Sequence, residues 1–140
     1  MTEEKNISLE KMNSFRVIHM AKKLISFESK DEVISYLKNN KSEIDDILIL
    51  GEGSNTLFTK DYNGIIFQSN IKGIEIIKED NESITLKVGS GENWDDFVDF
   101  CVNSEYYGIE NLSLIPGSVG AAPIQNIGAY GVEINDYCLL

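Results

Sequence analysis

Two stretches of this sequence place small residues and hydrogen-bonding side chains where a ligand could lie against the backbone. The first is Gly51-Glu52-Gly53-Ser54-Asn55, which directly follows the apolar run 47–50. Glycine takes positive φ freely and permits close approach, so successive N–H groups here can form an anion-binding nest. Ser54 and Asn55 add side-chain donors. No Gly-Lys-Ser/Thr follows, so this is not a Walker loop, and without a third glycine it is not the dinucleotide fingerprint. Taken alone, the segment also describes an ordinary tight turn between a strand and a loop.

The second stretch is longer. It opens with Ile115-Pro116-Gly117-Ser118-Val119-Gly120, continues through Ala121-Ala122-Pro123-Ile124, and ends with Gln125-Asn126-Ile127-Gly128-Ala129-Tyr130-Gly131. The small residues leave room for a flat or extended ligand, and Gln125 and Asn126 carry the donor and acceptor groups that pair with the imide edge of a heterocycle. No basic residue stands nearby, so a diphosphate here would be held by amide N–H groups rather than by ion pairs. A dinucleotide with an aromatic ring suits this pattern. A close-packed glycine turn without function is the other reading of the composition alone.

Elements that could hold these loops are legible around them. Residues 29–40 open with a capping box, Ser29 and Glu32, and put Val33, Ile34 and Leu37 on one face, which predicts a helix. The short apolar run 47–50 stops at Gly51 as a buried strand does. Runs at 65–68, 74–78 and 83–88 are rich in β-branched residues and are separated by turn signals at Asn63-Gly64 and Asp80-Asn81. Asn93 is a good N-cap for Trp94, Phe97, Val98, Cys101 and Val102, the spacing of an amphipathic helix expected to end near Tyr107-Gly108. From 109 to 131 no helical or strand period is sustained, and so long an irregular stretch is usually functional. The run 137–140 resembles a strand cut in its middle. The expected fold class is α+β, with two small lobes at 1–70 and 71–140.

Composition narrows the function classes. The net charge of -11 opposes a nucleic-acid partner, whose affinity rests on neutralising phosphates with Lys and Arg. Every Lys and Arg lies between Lys5 and Lys87, while 88–140 carries eight acidic residues and no basic one, an asymmetry that suggests an incomplete chain. No apolar run approaches the roughly 20 residues a membrane helix needs, and the acidic start lacks the features of a secretory signal. A cytoplasmic protein without membrane contact is expected. Cys101 and Cys138 lack a second ligand set, so no metal site is expected, and Cys101 reads as a small buried hydrophobe. His19 lies outside both loops and reads as a surface or packing residue.

Several segments together resemble the UDP-N-acetylenolpyruvoylglucosamine reductase family. They are Gly-Glu-Gly-Ser-Asn at 51–55, Ile-Lys-Gly-Ile-Glu-Ile at 71–76, Gly-Glu-Asn-Trp at 91–94, Gly-Ile-Glu-Asn-Leu at 108–112 and the whole run 114–133. Asn13-Ser14-Phe15 is similar to the family's Asn-Thr-Phe, and Arg16 departs from it where many members carry Gly. The resemblance covers nearly the entire chain, in order, and corresponds to the family's amino-terminal portion.

That resemblance implies an FAD-binding fold of the vanillyl-alcohol-oxidase (PCMH) type, two α+β lobes with the flavin between them. It implies that Gly51, Glu52, Gly53, Ser54 and Asn55 contact the cofactor diphosphate. It also implies contacts to diphosphate and isoalloxazine from Ile115, Pro116, Gly117, Ser118, Gly120, Ala121 and Ala122, and from Ile124, Gln125, Asn126, Gly128 and Ala129. Family members reduce the enolpyruvyl group of the UDP-sugar with hydride from NADPH passed through FAD, a step of peptidoglycan synthesis. Their proton-donating Ser and the later Arg and Glu have no counterpart here, so the resemblance implies no catalytic residue within the chain and no turnover by it alone. The alternatives are another FAD oxidoreductase of the same fold and a flavin-binding module without turnover.

Overall fold

The structure, a computed structural model, describes residues 1–41 and 46–139. Most of the polar link expected after the first helix, and Leu140, lie outside them. The chain divides into two compact units, Met1–Ile71 and Lys72–Leu140.

The first unit is a four-stranded sheet in the order β1-β2-β4-β3, formed by β1 (Thr2–Ser8), β2 (Met20–Phe27), β3 (Ile47–Ile49) and β4 (Tyr62–Ser69). β1 pairs antiparallel with β2, whereas β2 and β3 flank β4 in parallel. Strand alternation explains why β4 is apolar without a break over 65–67. Ile65 and Phe67 join Ile25, Phe27 and Tyr36 on the face covered by helix α1 (Lys30–Asn39). Ile66, between them, packs with Leu9, Leu24, Leu50 and Phe58 on the opposite face. The rings of Phe27, Tyr36 and Phe67 meet edge to face, with centroids 4.9 to 5.9 Å apart.

Helix α1 begins as its sequence predicts, with Ser29 Oγ accepting the Glu32 N–H at 3.2 Å. The Glu32 carboxylate accepts the N–H of Glu28 at 2.8 Å. Ile34, expected on the apolar face, is exposed. Asn63-Gly64 was expected as a turn but lies within β4. The glycine serves close approach there, since a Cβ on Gly64 would meet the Asp46 carbonyl oxygen at 2.5 Å.

The second unit starts with a hairpin of β5 (Ile74–Glu79) and β6 (Ile84–Val88). Its turn matches expectation, because Asp80 Oδ1 accepts the N–H groups of Glu82 and Ser83 and the Ser83 hydroxyl. Helix α2 (Trp94–Asn103) is capped by Asn93, whose side chain accepts the Asp96 N–H. It stops short of Tyr107-Gly108 because Glu105 takes a left-handed backbone, φ 60°, and the carbonyl of Cys101 is then met by Ser104 and Tyr106. Trp94, Val98 and Cys101 point into a core with Ile109, Leu112, Ala122 and Ile134, whereas Val102 is exposed.

The long irregular stretch resolves into short pieces: a 3₁₀ turn at Glu110–Leu112, helix α3 (Ala122–Gln125), and a two-strand ribbon of β7 (Gly128–Ala129) and β8 (Val132–Glu133). Of the strand expected at 137–140, the described residues 137–139 form none. Residues 134–136 form a 3₁₀ turn whose Ile134 carbonyl takes the N–H groups of Tyr137 and Cys138, so the backbone bonds locally instead of to a ladder.

Candidate cofactor site

In the first unit, Leu50 leaves the sheet with its N–H on the Phe67 carbonyl at 2.9 Å and its side chain buried. The chain then turns through Gly51, whose carbonyl accepts Gln68 Nε2 at 3.1 Å. Gly53 is buried and left-handed, φ +71°. Its carbonyl accepts the N–H groups of Ser14 and Thr56, each at 3.4 Å, which folds 53–56 into a turn lying on the Met12–Asn13 backbone. The N–H groups of Gly51 and Gly53 find no protein acceptor among the described residues. A buried donor without a protein partner is costly, and an anion would relieve it.

The support under this loop is Asn13, which is buried. Its Nδ2 donates to the carbonyls of Leu9 at 2.7 Å and Val17 at 3.2 Å, and its Oδ1 accepts the Val17 N–H at 3.1 Å. Arg16 in the same turn is left-handed, φ 54°, a backbone region that favours glycine. Sequence reasoning singled out Asn13 only by resemblance; the packing of 12–13 against Gly53 was not visible in it.

In the second unit the run 112–120 lies beside 90–95. Asn93 and Ser118 face each other in an antiparallel bridge, flanked by Trp94 N–H to the Gly117 carbonyl and Val119 N–H to the Glu92 carbonyl, both at 2.9 Å. In such a pair the N–H of the facing residue points away from its partner strand. The Ser118 N–H accordingly meets no protein acceptor among the described residues, and neither does that of Gly117, whose φ of 136° takes it out of regular strand geometry. Gly120 closes the contact: its N–H donates to the Ser90 carbonyl at 3.0 Å, and a Cβ there would stand 2.6 Å from Ser90 Cβ.

Beyond Gly120 the run changes role. Ala121 and Ala122 return their N–H groups to the Ser118 carbonyl, and Ile124 is exposed on α3. Asn126 ends α3 in a left-handed conformation, φ 44° and ψ 57°. Its Nδ2 donates to Glu133 at 2.7 Å and its Oδ1 accepts the Asn135 N–H at 3.2 Å. One donor and one lone pair of that amide remain for a ligand. Tyr130 and Gly131, both at positive φ, make the two-residue turn that pairs Gly128–Ala129 with Val132–Glu133.

Electrostatics beside this run centre on Glu92. Glu92 Oε1 accepts the Gly73 N–H at 2.7 Å and Oε2 accepts Lys72 Nζ at 3.3 Å; these contacts, the Gly73 bond first, hold its carboxyl below the ordinary range. Among the described residues no group of three or more His, Cys, Asp or Glu could hold a metal, and no helix is long and apolar enough to cross a membrane.

Residues 21–139, most of the chain, match the family described as FAD binding domain. The chain belongs to that family. Its cofactor is FAD, and each loop fits it: both present unpaired N–H groups on glycine-opened backbone, which can hold a diphosphate. Curated relatives named UDP-N-acetylenolpyruvoylglucosamine reductase are similar throughout. One from Bacteroides fragilis is 47% identical over 133 residues, covering 95% of this chain and 40% of the relative. One from Flavobacterium johnsoniae is 45% identical over 136 residues, covering 97% and 40%. The chain thus spans about 40% of the length of these relatives. The crystal structure of UDP-N-acetylenolpyruvylglucosamine reductase from Thermus caldophilus aligns with a TM-score of 0.72 at 22% identity, over 97% of this chain and 46% of that one. The fold is therefore the α+β FAD-binding fold of the PCMH type.

Proposed function

We propose that this chain is the FAD-binding part of a UDP-N-acetylenolpyruvoylglucosamine reductase acting in the cytoplasm in peptidoglycan synthesis. The unpaired N–H groups in the two glycine loops carry the assignment of the site, and the 45% and 47% identity to relatives of that name supports the activity. When bound, FAD would supply hydride transfer from NADPH to the enolpyruvyl double bond of the sugar nucleotide.

Gly51 and Gly53 would present their N–H groups to the cofactor diphosphate, with Glu52, Ser54 and Asn55 completing the loop. Gly117 and Ser118 would do the same from the second unit, in a run, 88–140, that carries no Lys or Arg. The stretch from Ala121 and Ala122 through Ile124, Gln125, Gly128 and Ala129 would lie against the isoalloxazine, and the remaining donor and acceptor of Asn126 suit its imide edge. Residues 1–70 and 71–140 would each act as one flavin-binding lobe. No residue within the chain is assigned a catalytic role. The acidic composition of 88–140 repels the substrate's own diphosphate, so its recognition falls to other parts of a complete reductase.

The test is direct. The full-length gene product should purify with the absorbance of an oxidised flavin and should oxidise NADPH only when UDP-N-acetylenolpyruvoylglucosamine is added. A colourless protein that takes up no FAD overturns the site; a flavoprotein that ignores this sugar nucleotide overturns the substrate.

A further inference from the structure

One short stretch grips the 112–120 run at five points. Trp94 Nε1 donates to the Leu112 carbonyl at 2.8 Å, the Leu114 N–H donates to Asp95 Oδ1 at 2.5 Å, and the Trp94, Val119 and Gly120 bonds described above follow in order. Only one of these acts on a strained residue. Leu114 is left-handed, φ 61°, a conformation that L residues avoid because Cβ crowds the backbone. Its side chain is 84% exposed, so little side-chain packing compensates. Its N–H is bonded to Asp95. Two positions on, Pro116 has a fixed φ and restricts Ile115 before it, so few torsions between Leu114 and Gly117 are left to take up a rotation at Leu114.

We propose that Asp95 is a positioning residue for the cofactor loop: by accepting the Leu114 N–H, its carboxylate keeps Leu114 left-handed and thereby aims the unpaired N–H groups of Gly117 and Ser118 at the anionic part of the flavin cofactor. The inference rests on 115–118 being a cofactor loop. Asp95 also stands in the first turn of α2, where any negative charge is favoured by the helix dipole. Acceptor and charge are separable, because Asn at this position keeps Oδ1 and loses the charge.

The test uses the flavin-loaded full-length protein and its Asp95→Ala, Asp95→Asn, Leu114→Gly and Asp95→Ala/Leu114→Gly variants. FAD affinity is read by flavin fluorescence, and backbone hydrogen exchange is read at 114–118. Asp95→Ala should weaken FAD binding about tenfold, the usual scale for losing a hydrogen bond to a charged group, with faster exchange at 114–118. Asp95→Asn should stay within about threefold of the parent, because the acceptor is retained. Glycine adopts positive φ without strain, so the double variant should bind FAD within about threefold of Leu114→Gly alone.

Parental affinity and parental exchange in Asp95→Ala overturn the proposal, as does an Asp95→Asn variant as weak as Asp95→Ala, which would assign the effect to charge. Faster exchange with parental FAD affinity would show that Asp95 positions the loop but that the loop does not hold the cofactor; the site reading falls, and the proposal with it. Should Asp95→Ala fail to fold, Asp95→Ser, whose side chain is too short to reach Leu114, is judged by the same thresholds.

Discussion

The carbonyl oxygen of Met12 lies only 1.9 Å from where Gly53 would carry a Cβ, and Gly53 is itself left-handed at φ +71°. Both facts exclude any side chain there, because the obstructing atom is backbone and cannot rotate aside. Gly53→Ala should destabilise the first unit by about 2–4 kcal/mol through combined strain and overpacking. Urea unfolding checks this: a midpoint equal to that of the parent would show that the 12–13 turn moves freely.

Glu92 gives the acid stability a signature. Its folded-state pKa is held below the ordinary 4.5, first by the Gly73 N–H and then by Lys72. A depressed carboxylate contributes stability that is fully present above its unfolded pKa and is lost as pH falls through its folded pKa. Glu92→Gln should therefore lower the melting temperature at neutral pH and flatten its decline below pH 4.5. Parallel melting curves for the two proteins across that window would refute the linkage.

The elements that were legible in the sequence have local causes. Ser29 caps α1, Asn93 caps α2, and Asp80 closes the β5–β6 turn through bonds within three residues. β1 and β2 were not seen. β1 is polar along most of its length, and β2 interrupts its apolar run with Lys22 and Lys23, so their strand character comes from pairing with each other and with β4. The glycine loops were visible as loops, but not what shapes them. Met12 lies 41 residues before Gly53, and Asp95 reads in sequence as an ordinary first-turn acid, though its Oδ1 holds Leu114.

Cys101 and Cys138 should separate in reactivity. Cys101 is buried, and desolvation pushes its thiol up to about 11, which leaves roughly a thousandth as thiolate at pH 8. Cys138 is half-buried and within reach of reagent. Iodoacetamide under native conditions should label Cys138 first and Cys101 only on unfolding, as peptide mass analysis can read. Equal labelling rates in the folded protein would contradict the burial of Cys101 on the inner face of α2.

Asn126 combines a backbone requirement with a side-chain clamp, and substitutions can divide the two. Its left-handed backbone favours glycine over any residue with a Cβ, while its amide ties the end of α3 to Glu133 and Asn135. Asn126→Gly relieves the first and removes the second, so it should cost about 1–2 kcal/mol for two hydrogen bonds that are partly solvated. Asn126→Ala removes the clamp and keeps the strain, adding about 1 kcal/mol more. On the proposed contacts of Gly128 and Ala129 with FAD, both variants should also weaken its binding, while Asn126→Asp, which keeps only the acceptor and faces Glu133 with a like charge, should be weakened by raising pH through the carboxylate range. Denaturant midpoints ordered parent, Gly, Ala support the division. Alanine at least as stable as glycine would show that the left-handed turn at 126 is not what ends α3.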